Sequence, residues 1–266
     1  MGKRTRVTQI GEQTATLRVV GPKPEAEPFT LSWAALSDVG KKRAVNEDSV
    51  VANPPIFAVA DGMGGHAAGD VASAAVVNRL GAVHGLSFTT GDIIDEALSL
   101  ALADIDVVGD ANALGTGTTV TGVALTLVED EPVWAVFNIG DSRVYQMLDG
   151  SLARLTVDHS VVQELVDAGL ITAEQAETHP DSNIITRAVG FHEKPAPDYT
   201  LLEVTPGQRL LVCSDGLTKE LTDHGIAHYL GRAGSAAEAA NNLVVAALTN
   251  GGRDNVTVLV IDVAAD

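Results

Sequence analysis

The sequence has one cysteine, Cys213, among 266 residues. A disulfide within the chain is therefore impossible, and a zinc site built from several thiolates is excluded. Cys213 lies in the apolar run RLLVCS (209–214) and reads as a small buried hydrophobe. Aromatic residues are also scarce, at 4 %, so the core has to be built mainly from Ala, Val, Leu and Ile. Basic residues are outnumbered: 17 Lys and Arg face 35 Asp and Glu, for a formal charge of −18. That balance speaks against a generic nucleic-acid partner or an anionic membrane surface. No uninterrupted apolar run approaches the roughly 20 residues of a membrane-spanning helix. The opening MGKRTRVTQ lacks the apolar stretch of a secretory leader, so a cytoplasmic chain is expected. No Gly-Lys-Ser/Thr follows the glycine-rich stretch at 62–65, which speaks against a nucleotide-binding kinase.

Apolar material is ample, at 45 % of residues, and much of it lies in short β-branched runs. Residues 1–20 are polar with weak alternation. GPKPEAEP (21–28), with three prolines, reads as an extended linker. A main domain, 29–266, is expected to start near Phe29. Residues 1–28 are then an N-terminal extension that serves as a docking tail or adds a strand. Strands are predicted at 30–36, 49–52, 56–60, 119–128, 132–139, 142–148, 201–204, 209–214 and 255–263. EDEP (129–132) and LDGS (148–151) read as hairpin turns, which implies antiparallel pairing. Apolar residues at three- and four-residue spacing predict helices over 69–84, 91–108 and 235–249. Residues 158–190 hold two short helical pieces, VVQELVDAG and TAEQAETH, and read as an insertion. Sheets with helices packed on them give an α+β class.

The stretch VADGMGGHAAGDVAS (59–73) ends an apolar strand in Asp61 and follows it with glycines. Phosphate cradles use glycine in this way but place no acid beside the phosphate. Other acids hold equivalent positions. Asp215 ends RLLVCS and is followed by Gly216; Asp254 immediately precedes NVTVLVIDV; Glu47 and Asp48 immediately precede SVVA. If those strand ends converge, they form a cluster of hard oxygen ligands suited to Mg²⁺ or Mn²⁺ rather than Zn²⁺. Their mutual repulsion would then demand cations. Each acid alone also suits a turn or a helix cap; the set, with its glycines, points to metal. Arg43, four residues before Glu47, offers a guanidinium fork for a phosphate beside such a cluster. Alone, it is equally a surface residue of the basic turn KKR.

The motifs RAVNED (43–48), ADGMGGHAAGDVAS (60–73), GTGTTVTGVAL (115–125) and NIGDSRVY (138–145) occur in that order. LTVDHS (155–160), ITRAVG (185–190), CSDGLT (213–218) and GGRDNVTVLV (251–260) follow. Together they resemble the metal-dependent protein phosphatases, the type 2C serine/threonine phosphatases, in their bacterial branch. The resemblance implies a four-layer αββα sandwich, two antiparallel sheets flanked by helices, with a centre of two Mn²⁺ or Mg²⁺ ions at one edge. Asp61 would bridge both ions, and Asp215 and Asp254 would complete the shell of the first. The Gly62 carbonyl and Glu47, the latter mostly through water, would hold the second. Arg43 would bind the substrate phosphate, and Asn255 would sit at the substrate edge. Gly62 would leave room for its carbonyl to turn, and Gly64 and Gly65 would allow a tight exit into the helix. The implied reaction is attack of a metal-activated water on phosphoserine or phosphothreonine, without a phospho-enzyme. The implied partners are phosphorylated proteins and a serine/threonine kinase that the enzyme opposes; a monomer is expected.

Two positions depart from the family pattern. Met63 stands where eukaryotic members have a histidine proposed as leaving-group acid; His66, nearby, suits a helix start. Leu114 stands where bacterial members carry an aspartate that binds a third metal, and Asp110 is out of register. Residues 158–190 correspond to the family's flap, where His159 and Arg187 either meet substrate or hold structure. Leu114 lends some support to a non-catalytic module of the same fold that binds phosphopeptide. Retention of Arg43, Asp61, Asp215 and Asp254 speaks for an enzyme.

Overall fold

Both predicted turns form hairpins. Glu129 and Asp130 take φ of 53° and 65°, and Asp149 and Gly150 take 51° and 77°. Two successive left-handed residues give a turn whose twist matches that of the flanking strands. These turns belong to a computed structural model that describes residues 7–24, 26–64, 68–83, 85–109, 115–191 and 194–266. Gly65, His66, Asp110 and Leu114 lie outside the described residues.

The first strands are β1 (Thr8–Gly11), β2 (Thr14–Val19), β3 (Phe29–Asp38), β4 (Asp48–Asn53) and β5 (Ile56–Met63). After helices α1 (Gly69–Gly81) and α2 (Gly91–Gly109) come β6 (Gly117–Thr118), β7 (Val120–Val128), β8 (Glu131–Ile139), β9 (Arg143–Leu148) and β10 (Ser151–Arg154). Short helices α3 (Val161–Asp167) and α4 (Ala173–Glu177) precede β11 (Val189–Gly190), β12 (Asp198–Glu203) and β13 (Arg209–Cys213). The chain continues through α5 (Asp215–Thr218), α6 (Asp223–Arg232) and α7 (Ala236–Asn250) to β14 (Val256–Ala265).

Two sheets result. One runs β1-β4-β5-β7-β8-β12, with β6 pairing to β5 and β11 to β6; the other runs β10-β9-β13-β14-β3-β2. All their pairings are antiparallel except β1 with β4. Three apolar layers define the stacking. Between the sheets lie Leu31, Trp33, Phe57, Val123, Trp134, Leu210 and Leu259. Outside the first sheet, Ala58 and Val120 pack on Val76 and Leu80 of α1 and Leu98 of α2. Outside the second, Leu211 and Val258 pack on Leu217, Ile226 and Leu243 of α5, α6 and α7. The order is thus helix, sheet, sheet, helix. With few aromatics available, three of them meet edge-on at the middle: Phe57 lies 5.3 Å from Trp33 and 6.3 Å from Trp134.

Residues 8–19 give an edge strand to each sheet, β1 beside β4 and β2 beside β3. Of the two roles left open for the extension, the described part adds strands. The proline-rich stretch then carries the chain from β2 to its neighbour β3. The alternation in β1 and β2 is weak because edge strands bury little: only Val19 of β2 is fully buried. Helix α6 is absent from the sequence expectation because DHGIAHYLGR carries two glycines and two histidines, although Ile226 and Leu230 stand at helical spacing on one buried face. It is held by a cap, Thr222 accepting from Gly225 N, and by burial of Ile226 and Leu230. The insertion folds as expected into two capped pieces. Ser160 caps α3, and Thr172 forms a capping box with Gln175 at α4.

Truncating Phe57 to alanine empties the contact between the two tryptophans. We expect a loss of about 3–5 kcal/mol of unfolding free energy, read from urea denaturation of Phe57→Ala beside the parent chain.

Candidate metal centre

Strand register brings the acids to one edge. Asp48 opens β4 and is the register partner of Asp61 near the end of β5. In the second sheet β13 ends at Cys213, one residue before the Ser214 cap of α5, and β14 opens at Val256 opposite Asp38. Asp215, Asp254 and Asn255 therefore sit at the matching end of that sheet. The two ends are joined through Asp48, whose Oδ2 accepts from Ser214 Oγ (2.8 Å) and Thr257 Oγ1 (2.6 Å). Asp61 is fixed by its backbone. Its N–H donates to Thr119 Oγ1, and its carbonyl accepts from Thr119 N and Thr118 Oγ1. That is the physical role of the paired threonines in GTGTT.

Glycines permit the close approaches here. A Cβ on Gly62 would collide with the Gly69 carbonyl and come within 2.6 Å of Glu47 O, so β5 could not pass α1 and the Glu47 loop. A Cβ on Gly216 would collide with the Asn255 carbonyl, so the first turn of α5 could not rest on the Asp254–Asn255 segment.

The field at this edge is strongly negative. Burial, then repulsion from Asp48, Asp215, Asp141 and Asp254, raises Asp61 well above the usual carboxylate range. Asp48 is pushed up to about 7 by burial, against the lowering effect of its two hydroxyl donors. Asp141 is pushed up to about 7 by burial and by Asp215 and Asp158. Burial also raises Glu47, with Arg43 opposing and Asp70 and Asp254 adding to the rise. Two cations answer these acids. Arg43 forks onto Asp254, at 2.8 Å from Nε and 3.0 Å from its second nitrogen, with Glu47 at 3.9 Å. Lys219 pairs with Asp215 and lies 3.4 Å from Asp254. Burial works against its ammonium, but Asp215, Asp254 and Asp141 outweigh that and raise its pKa.

As placed, no three carboxylate, imidazole or thiol groups among the described residues share a ready-made ligand shell. The donor set nevertheless fits divalent cations. Asp48 Oδ1 and Asp215 Oδ1 are buried without a hydrogen-bond partner among the described residues. The acids are all-oxygen donors in mutual repulsion, which a hard cation relieves.

The structure brings Arg43, Glu47, Asp61, Gly62, Asp215, Asp254 and Asn255 to this one edge. Two of them are engaged differently from the sequence expectation. The Arg43 fork, expected to face a phosphate, rests on Asp254 while staying half exposed. Asn255, expected at the substrate edge, is buried and fully committed to the Arg43 loop. Its Oδ1 accepts from Glu47 N, and its amide donates to Val39 O and Val45 O. The 158–190 segment borders the edge, because β11 at its end pairs with β6, which pairs with Gly62 and Met63 of β5. His159 is structural: its Nδ1 accepts from Gly140 N, so its Nε2–H donates to Asp198 at 3.0 Å. Arg187 binds the same carboxylate. Cys213 is buried and its thiol is pushed up to about 12 by that burial, which disqualifies it as a nucleophile.

Two participants, and one role of a third, escaped the sequence reading. Asp141 follows β8 as Asp215 follows β13, so the strand-end pattern could have found it. Lys219 lies four residues after Asp215, and helical spacing could have paired them. The bridging role of Asp48 had no signal, since the hydroxyls that hold it are more than 160 residues away.

Comparison with known proteins bears on the fold and the family. The family profile described as protein phosphatase 2C matches residues 41–249. The serine/threonine protein phosphatase PstP of Mycobacterium tuberculosis is 42 % identical over 245 residues, covering 88 % of this chain and 45 % of PstP. The chain thus spans less than half the length of that relative. Protein phosphatase PhpP of Streptococcus pneumoniae is 35 % identical over 239 residues, covering 85 % of this chain and 95 % of PhpP. A crystal structure of M. tuberculosis PstP superposes with a TM-score of 0.80 at 41 % identity, covering 87 % of this chain and 98 % of that one. The PstP catalytic domain in complex with two manganese ions gives 0.79 at 40 % identity, covering 88 % and 98 %.

Asn255→Ala takes one acceptor and two donors from the loop carrying Arg43 and Glu47. The expected cost is about 1–3 kcal/mol, measured by urea denaturation in EDTA. An unchanged midpoint would mean that the loop holds itself.

Proposed function

The chain belongs to the protein phosphatase 2C family, and from that membership we propose that it is a metal-dependent protein serine/threonine phosphatase. The observation that carries the reading is the convergence of Asp61, Asp215 and Asp254 at one edge of the sandwich beside the half-exposed fork of Arg43. Asp61, Asp215 and Asp254, with Glu47 and the Gly62 carbonyl, would hold two divalent ions, Mn²⁺ or Mg²⁺. Such a pair, when bound, supplies an activated water and screens the phosphate's charge.

The chain's own residues do the rest. Arg43 presents a planar fork whose geometry suits two phosphate oxygens. Asp254 holds that fork beside the acids until a phosphate dianion competes for it. Asn255 acts as a positioning residue, because it fixes the loop from Val39 to Glu47. Thr118 and Thr119 keep Asp61 in place. With Cys213 buried and no other nucleophile assigned here, direct attack by water needs no phospho-enzyme.

The sequence expectation of a domain starting near Phe29 is corrected by β1 and β2, which complete the edges of both sheets. We place the catalytic domain at 8–266, with residues 158–190 as a flap bordering the phosphate and influencing substrate choice. The substrates are phosphorylated proteins, and a serine/threonine kinase is the opposing activity. We assign the chain to the cytoplasm, as a monomer. No helix among the described residues is long and apolar enough to cross a membrane.

The test is hydrolysis of a phosphothreonine peptide by protein stripped with EDTA and then supplied with Mn²⁺. Turnover is expected only with the metal, and Asp254→Asn is expected to lower it at least roughly a hundredfold. Folded, metal-loaded protein that turns nothing over would instead favour a phosphopeptide-binding module.

Arg43→Ala should lower kcat/KM for the same peptide by about 10²–10³-fold, the scale of losing one charge-stabilising donor. An Arg43→Ala enzyme within a few-fold of the parent would remove Arg43 from the phosphate site.

A further inference from the structure

Lys219 stands one helical turn after Asp215. An ordinary pair at that spacing lies on a solvated face, but here both acids are largely shielded. The Asp215 and Asp254 side chains are 14 % and 17 % exposed. The ammonium also joins two segments, the first turn of α5 and the Asp254–Asn255 segment that leads into β14. Asp215 is divided by this contact. Its Oδ2 meets Lys219, while its Oδ1 stays buried and without a partner among the described residues.

Charge balance gives the contact a purpose. Six carboxylates crowd this edge: Glu47, Asp48, Asp61, Asp141, Asp215 and Asp254. Two divalent ions would leave two negative charges unanswered. Arg43 and Lys219 supply two positive ones. Arg43 is half exposed and faces the solvent from which a phosphate arrives. Lys219 is held between two acids, with a third, Asp141, adding attraction.

We infer that Lys219 is a tethered cation of the metal centre, standing beside Asp215, Asp254 and Asp141 where a further divalent ion would otherwise bind. The inference rests on the phosphatase reading for the identity of the ions. It goes beyond that reading in naming what sets their number. Lys219 then has two effects. It keeps Asp215 and Asp254 together when metal is scarce, and it closes that side of the cluster to an additional ion.

The experiment counts ions and measures stability, without using activity. The full chain, its Lys219→Met variant and its Lys219→Arg variant are stripped with EDTA. Each is dialysed to equilibrium against Mn²⁺ and analysed for bound metal, and the Tm of the metal-free form is recorded. The parent and Lys219→Arg should each hold two Mn²⁺. Lys219→Met should hold three, and its metal-free form should melt a few degrees lower, with Mn²⁺ restoring the loss. Lys219→Gln is measured alongside, so that a methionine variant that fails to fold still leaves a neutral one to count. Neutral variants that hold two Mn²⁺, or that melt like the parent without metal, overturn the inference and leave the phosphatase reading standing. An arginine variant that gains an ion overturns it as well. A parent chain that holds no Mn²⁺ overturns both.

Discussion

The arrangement of this site depends on one buried carboxylate. Asp48 belongs to the first sheet, and both hydroxyls on its Oδ2 belong to the second. Burying an acid without a cation at its side is costly, and the structure meets that cost with two short hydrogen bonds. The return is alignment. Asp48 is paired with Asp61 across β4 and β5, while Ser214 and Thr257 flank Asp215 and Asp254. Where one sheet slides relative to the other, the acids of the two halves part. Sandwich packing by itself tolerates small sliding, since apolar contacts are non-directional; the hydroxyl bonds to Asp48 are directional.

Around that contact the fold concentrates negative charge that few proteins would gather without a reason. Three apolar layers carry the stability that the acidic edge does not contribute. The glycines at 62 and 216 serve the same edge from the steric side. They let backbone carbonyls and helix turns approach more closely than any side chain would permit. Asn255 then ties the loop that carries Arg43 and Glu47 to the segment that carries Asp254, so these side chains are held as one unit.

Much of this was legible in the chain itself. Strand positions followed from β-branched runs and turn residues, and the acids were visible because each sits beside a strand end. The hairpins at Glu129–Asp130 and Asp149–Gly150 formed as their residues dictate. Features that were not legible depend on partners distant in sequence. The edge strands β1 and β2 bury too little to show alternation, and the parallel pairing of β1 with β4 has no local signal. Helix α6 is made by its packing and its cap, against the preference of its glycines. Asn255 was given a place at the substrate edge by the family resemblance alone. Its hydrogen bonds reach carbonyls of a loop more than 200 residues earlier, which only the folded chain brings near. Arg43 lies against Asp254, but nothing in KKRAVNED states which of several anions its fork will meet.

One further consequence concerns the order in which the molecule is made. Strand β14 lies at the centre of its sheet, between β13 and β3, so residues 256–265 must thread back beside residues 29–38. Pairing between such distant segments makes folding slow and leaves this sheet incomplete until residues 256–265 have been made. Asp254 lies two residues before that strand. While a ribosome is still extending the chain, Asp61 and Asp215 can already be present but Asp254 and its sheet are not. The charged edge is therefore assembled only with the strand that completes the apolar layers. The repulsion among its acids arises at the moment the core able to withstand it is finished.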